Sequence, residues 1–213
     1  MIPYIKEANA MIIRLETPGD HRTVEELTRE AFWNIYRPGC VEHLVVHNLR
    51  NDEDFVPQLD YVVEEDGQLI ASIFYARARV EEDWEHYHDI LIFGPVSVLP
   101  EYQGKGYGSA LIHFTLNKAR ELGCPLVAIT GSPDYYSRFG FEPAAAHGIF
   151  YAGMDPEEET PFFMVKVLDE EKAAAIKGGY SDPLVYLVDD QEVEEFDRSF
   201  PPKQKEVREG QLF

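Results

Sequence analysis

The sequence predicts an α/β (α+β) fold, a central sheet covered by helices. Strand-like runs alternate with segments of helical periodicity, and the helices fall between strands that hairpins cannot all join. The chain has 213 residues and is 45% hydrophobic, enough for one sizeable core. No run of 18 apolar residues breaks that pattern, so no membrane span is expected.

The elements follow in order. Residues 11–16 read as a short strand. Pro18, Gly19 and Asp20 end it, with Asp20 available to cap a helix. Val24, Leu27, Ala31, Phe32 and Ile35 recur at helical spacing, Arg37-Pro38-Gly39 breaks the pattern, and 41–49 make a second helix. Asp52, Glu53 and Asp54 form a polar loop. Tyr61, Val62 and Val63 open a strand that turns at Glu65-Asp66-Gly67 into another over 69–80. After an acidic loop, residues 88–99 make a long buried strand. Pro95 has no N–H for the ladder, so this strand should bulge or lose a neighbour at Gly94-Pro95. A glycine-rich turn leads into a helix with Leu111, Ile112, Leu116, Ala119 and Leu122 on one face, ended by Gly123. Residues 126–130 are a buried strand, 133–139 a short helix stopped by Gly140, and 162–168 a further strand. Residues 1–168 form the main domain and 169–213 an extension. The extension reads as a helix over 172–177, a strand over 184–188, the acidic run Glu192, Glu194, Glu195 and Asp197, and a charged tail. The last ten residues should be loosely held.

The formal net charge is -20. Nucleic acid is a poor partner for such a surface, because its binding depends on neutralising phosphates. A cationic small molecule suits it, and so does a plain solvated acidic surface. Glu81, Glu82, Asp83, Glu85 and Asp89 crowd one stretch without a Lys or Arg. Between 101 and 123, Lys105, Lys118 and Arg120 outnumber Glu101 and Glu121, so that stretch tolerates an anion. Cys40 and Cys124 have no metal-like spacing and read as inert thiols, and no metal is expected. Residues 1–10 carry Lys6 and Glu7 and no apolar signal core, which points to a cytoplasmic protein.

The chemistry centres on residues 96–109, where a buried strand runs into three glycines at alternate positions and then a helix. Glycine lets the backbone take positive φ and approach a ligand. The first N–H groups of a helix have no internal partner and carry partial positive charge, so a phosphate is a natural occupant. A glycine turn without a ligand is the bland alternative. A nucleotide-triphosphatase loop needs Ser or Thr after Gly-Lys, and Lys105 is followed by Gly106. A dinucleotide fingerprint needs G-x-G-x-x-G at the first strand–helix turn, and this G-x-G-x-G lies mid-chain.

Gln103-Gly104-Lys105-Gly106-Tyr107-Gly108, preceded by Val98-Leu99-Pro100, resembles the diphosphate turn of the GNAT superfamily of N-acyltransferases. Tyr136-Ser137-Arg138-Phe139-Gly140-Phe141 resembles that superfamily's second signature, and residues 131–136 resemble its YhbS-like branch. The resemblance covers about 11–168. It implies a mixed, mostly antiparallel central sheet with a splayed mid-sheet cleft and helices on both faces. It implies acetyl-CoA as acyl donor, with Gln103, Gly104, Lys105, Gly106, Tyr107, Gly108 and Ser109 holding its diphosphate. Val96 and Val98 would pair with the pantetheine arm. Arg138, or Lys105 or Lys118, would meet the 3′-phosphate.

Tyr136 would protonate the leaving thiolate as general acid, with Tyr135 its nearest rival. Phenol and thiol have reference pKa values of about 10 and about 8.5, so that transfer is feasible. Some members carry a glutamate eleven positions before the turn's Gln, and Ile92 stands there instead. His88 or Asp89, acting through water, is the candidate base; His86, Glu85 or a water chain alone are alternatives. The early helices, with Trp33, Tyr36 and residues 37–47, would line the acceptor side, unless their aromatics are core. The acceptor would be a small-molecule or peptide amine, and the acidic 81–89 stretch leans toward a cationic one. Members often form homodimers. A non-catalytic acyl-CoA-binding sensor and a protein-interaction scaffold are the competing readings.

Overall fold

The computed structural model of the chain describes residues 11–83, 85–155 and 158–212. The reading of residues 1–10 lies outside them. Among the described residues, nine strands form one sheet. They are β1 (Met11–Leu15), β2 (Tyr61–Glu65), β3 (Gln68–Glu81), β4 (Tyr87–Val98), β5 (Leu126–Thr130), β6 (Glu142–Pro143), β7 (Ile149–Tyr151), β8 (Phe163–Val167) and β9 (Gly178–Ser181). The order is β1-β2-β3-β4-β5-β8-β6, with β9 paired to β3 and β7. Every pairing is antiparallel except β4–β5 and β7–β9. The helices are α1 (His21–Phe32), α2 (Glu42–Leu49), α3 (Tyr107–Glu121), α4 (Pro133–Tyr136), α5 (Glu170–Ala173) and α6 (Asp190–Asp197).

Alternation along the long β3–β4 hairpin sorts apolar side chains onto two faces. Phe74, Ala76, Ala78, Ile90 and Ile92 face a core closed by Val24 and Leu27 of α1 and Val46 and Leu49 of α2. Ile73, Tyr75, Leu91 and Phe93 face another closed by Leu111, Ile112, Leu116 and Ala119 of α3. Helices thus cover both faces.

Two irregularities shape the centre of the sheet. Ile73 pairs with Val96 and Tyr75 with Phe93, so Phe74 opposes both Gly94 and Pro95, and the Gly94–Pro95 peptide is cis. The expected bulge is there. Strands β4 and β5 pair only at Leu91 with Val127 and Ile92 with Ala128. Beyond Ile92 they diverge, leaving one edge of β4 free of a strand as far as Val98.

Several expectations need correction. Asp20 does not cap α1; its carboxylate accepts from Thr17 N (2.8 Å) and Thr17 Oγ1 (2.7 Å) and pairs with Arg14. Ile35 and Leu122 lie beyond their helix ends and are exposed, not on the buried faces. The acidic loop shrinks to a tight turn, because β3 runs to Glu81 and β4 starts at Tyr87. The extension's first helix comes earlier, at α5, because Asp169 caps it by accepting from Lys172 N. Residues 184–188 form no strand but a single 3-10 turn at Leu184–Tyr186, with Leu184 and Leu187 pointing outward, 80% and 70% exposed.

The tail is held rather than loose. The Trp33 indole donates to Gln204 O (2.9 Å), Glu206 N donates to Asn34 Oδ1 (3.1 Å) and Leu212 N donates to Tyr36 O (2.7 Å). Asp197 of α6 pairs with the buried Arg29 of α1 at 2.7 Å.

Candidate active site

The glycine turn stands where the diverging edge of β4 meets the start of α3. Gly104 and Gly106 have φ of +73° and +96°, and a Cβ on either would meet nothing within 4 Å. Glycine is needed there for its backbone angle, and the space beside it is open. No side chain caps α3, so its first N–H groups face outward. The Gln103 amide donates to Val98 O at 3.0 Å, which ties the turn to the strand. Tyr107 donates to Glu65 at 2.6 Å, and Lys105 lies 5.1 Å from the Tyr102 ring centre. Ser109 follows in the first turn of the helix, half-buried. The arrangement suits an anion approached by main-chain donors.

The two tyrosines of α4 meet edge-on, with ring centres 4.9 Å apart, and face different neighbours. A Cβ on Gly108 would lie 3.4 Å from both the Tyr135 hydroxyl and Val98 Cγ2. Tyr135 therefore stands over the start of α3. Tyr136 turns toward β4, with its ring 5.9 Å from Phe93 and 6.0 Å from Phe141, both edge-on. Gly131 makes that possible, because a Cβ there would fall 2.4 Å from the Tyr136 ring. Burial, then the neighbouring Tyr135 and Tyr36, pushes the Tyr136 phenol well above its ordinary pKa, so it stays protonated at neutral pH. Arg138 is exposed and folds back, donating to Tyr135 O at 2.8 Å with its guanidinium 4.3 Å from the Tyr135 ring centre. Val96 and Val98 are half-buried between these groups.

The other wall of the opening comes from α1, α2 and the extension. Ser97 donates to Thr28 of α1 at 3.0 Å, which seats that helix over β4. Trp33 is buried core, whereas Tyr36 is 49% exposed. Tyr186 donates to Gly94 O at 3.1 Å, at the bulge itself. Glu42, half-buried at the start of α2, accepts from Val41 N at 3.0 Å. The sequence reading set residues 37–47 on the acceptor side without singling out Glu42, and it passed over Tyr186. Tyr186 sits in no local pattern; its hydroxyl reaches the bulge only through tertiary packing.

His88 and Asp89 are on β4 but not beside Tyr136. The register puts them six and five residues before Gly94, about 16–20 Å along the strand. Asp89 is exposed and pairs with Arg79 at 3.5 Å. His88 Nε2 is buried without a hydrogen-bond partner. The acidic stretch sits at the far tip of the hairpin, where Asp83 accepts from His86 and Glu85 main-chain N–H groups, and it does not line the opening.

Cys40 is buried and Cys124 half-buried, and burial raises both thiols, Cys124 to about 11. No helix among the described residues is long and apolar enough to cross a membrane.

Comparison with known proteins agrees with this geometry. Residues 58–143 match a family model described as an acetyltransferase (GNAT) domain. The chain is similar to the uncharacterized N-acetyltransferase YjhQ of Escherichia coli, 35% identical over 127 residues, covering 58% of this chain and 68% of the relative. It is 31% identical over 141 residues to the uncharacterized N-acetyltransferase YhbS of the same organism, covering 65% and 78%. Among solved structures it resembles E. coli YhbS in complex with CoA, with a TM-score of 0.72, 28% identity and coverage of 85% and 94%. It also resembles a GNAT acetyltransferase from Brucella melitensis in complex with acetyl-CoA, with a TM-score of 0.65, 26% identity and coverage of 84% and 99%.

Proposed function

The chain belongs to the GNAT acetyltransferase family, and on that premise we propose that it transfers an acetyl group from acetyl-CoA to an amine by direct attack. One observation carries the reading: β4 and β5 separate after Ile92 beside an uncapped helix start with an open glycine turn, and Tyr136 borders the gap. Main-chain N–H groups between Gln103 and Ser109 hold the diphosphate. The pantetheine arm enters between the strands and pairs with the β4 edge at Val96 and Val98, the Gln103 amide giving up Val98 O. Exposed Arg138 or Lys105 swings to the 3′-phosphate. Solved relatives with CoA and acetyl-CoA support this placement.

The amine nitrogen attacks the thioester carbonyl carbon. A C–N bond forms, the C–S bond breaks, and the thiolate takes the Tyr136 hydroxyl proton. The second proton on the acylated nitrogen returns to the phenolate. A phenol kept protonated by burial is in the right state to act as this acid.

Thiol release measured across a panel of amines tests the activity. The Tyr136→Phe variant should keep its acetyl-CoA affinity and lose about 10²-fold in kcat. Unchanged turnover would remove Tyr136 from the mechanism. Binding of acetyl-CoA with no release from any amine would establish the sensor reading instead.

A further inference from the structure

With the diphosphate at the start of α3 and Tyr136 on the α3 side of the sheet, the opposite face of the β4–β5 gap is left for the acceptor. That face carries a carboxylate held by two phenols. Asp182 directly follows β9, and the Tyr180 hydroxyl donates to its Oδ1 at 2.8 Å. The Tyr151 hydroxyl donates to its Oδ2. Tyr151 and Tyr180 face each other in the β7–β9 register. Both rings pack on Phe163 of β8. Tyr180 stacks on it with ring centres 4.6 Å apart, and Tyr151 meets it edge-on at 5.4 Å. Phe163 and Tyr180 belong to the core beneath α1 and α2, and Tyr151 packs against it.

Register places this group at the gap. Ile92 and Ala128 are the last paired residues of β4 and β5. Gly94 stands two residues further along β4, and Thr130 two further along β5, where its partner on β8 is Phe163. The Tyr186 hydroxyl donates to Gly94 O at 3.1 Å, and the 3-10 turn Leu184–Tyr186 joins it to Asp182. The segment from Tyr180 to Tyr186 therefore reaches Phe163 on one bank of the gap and Gly94 on the other, with Asp182 between them.

We propose that Asp182, held by Tyr151 and Tyr180, binds a second positive charge on the acceptor, so that amines carrying a further ammonium group, diamines above all, are the substrate class. The proposal rests on the acetyl-transfer reading above.

The chemistry suits a charge clamp. Burial, then the bond and charge of Asp182, keeps the Tyr151 and Tyr180 phenols protonated, so both remain donors and fix the carboxylate between them. A carboxylate has about four acceptor positions, so an ammonium can still be received. Among the described residues Asp182 forms no salt bridge, and no Lys or Arg already neutralises it. Asp182, Tyr151 and Tyr186 are half-buried, within reach of solvent yet partly shielded from it. A charge pair is stronger there than on an open surface, and phenol rings beside it favour a cation. Asp182 thus supplies the cation preference that the sequence reading assigned to the acidic stretch at the hairpin tip. The far ammonium keeps its proton and pairs with Asp182, while the near amine attacks as described above.

The test measures KM in thiol release for α,ω-diaminoalkanes against alkylamines of matching length. In the parent protein the best diamine should have a KM at least about tenfold below that of its monoamine counterpart. Asp182→Asn keeps the side-chain size and an oxygen for one phenol. It should bring that ratio to about one, with acetyl-CoA affinity by calorimetry within about twofold of the parent as the sign of an intact fold. A merely structural role would worsen both amines alike and keep the ratio. A parent ratio near one, or a variant that keeps the parent's ratio, overturns the proposal. If Asp182→Asn does not fold, Tyr151→Phe decides. Freeing one carboxylate oxygen should raise the diamine KM about threefold or more and narrow the ratio, and an unchanged ratio overturns the proposal. A parent that releases no thiol with any amine overturns the acetyl-transfer reading, and this inference with it, whereas release without a diamine preference overturns this inference alone.

Discussion

Tyr136 depends on a residue it does not bond. A methyl group at position 131 would lie 2.4 Å from its ring, too close for any real contact, so the ring would have to swing away from Phe93. Gly131→Ala should cost about 1–3 kcal/mol of stability through overpacking, seen as a lower Tm. It should also lower kcat by about tenfold or more through displacement of the phenol, with acetyl-CoA affinity preserved. A variant with full activity would mean that the Tyr136 orientation is unimportant. The short helix that carries Tyr136 could be read from the sequence because the helix and the Gly140 that stops it are local, whereas the role proposed for Tyr136 came from the resemblance. Tyr186 was not legible, because its bond to Gly94 O joins residues 92 apart in the chain and arises only from packing.

At the scale of elements, the turn before α3 and the C-terminal tail make opposite demands. The turn must remain open. Gly106 has φ of +96° with nothing near its Cβ position, so a side chain would strain the backbone without clashing. Gly106→Val should weaken acetyl-CoA binding by at least about tenfold while leaving the fold intact, as read by calorimetry and circular dichroism. The tail must be closed. Asn34→Ala removes three buried side-chain hydrogen bonds, those from Gly39 N and Glu206 N and the one to Gln204 O, and strands their partners. Its expected signature is a lower Tm with a raised acceptor KM, because the segment through Tyr36 loosens. The turn could be read from sequence, since glycine's freedom is intrinsic to the residue. The tail misled, because Pro201-Pro202 and a charged composition look loose, whereas the groups that hold it lie some 170 residues away, at an |i−j| of 171 for Trp33 and 172 for Asn34. Residues 184–188 misled in the same way: an unbroken apolar run suggests a strand, whereas the chain makes a 3-10 turn at Leu184–Tyr186.

Over the whole molecule, a sheet covered by helices followed from periodicity, its mixed, mostly antiparallel order from the resemblance, and the central bulge from one proline. The pairing of β9 with β3 and β7 did not, since three- and four-residue strands carry too little pattern. The fold also buries an acid at its own cost. Asp60 is 6% exposed, and burial, reinforced by the adjacent Glu16, raises its pKa to about 9. In the unfolded chain it ionises near about 3.9. From there up to about pH 9 the folded form keeps a proton that the unfolded form releases, so stability falls as pH rises through that window. Asp60→Asn should therefore raise Tm more at pH 8 than at pH 5, and a gain that does not change with pH would contradict this.

The central claim is that main-chain donors at the start of α3 grip a diphosphate. Calorimetric titration of the protein with acetyl-CoA and with S-acetylpantetheine, which lacks the diphosphate and nucleotide, tests it most directly. Acetyl-CoA should bind at least about 10²-fold tighter, a difference of about 2.8 kcal/mol. Equal affinities, or no binding of acetyl-CoA, would contradict the account.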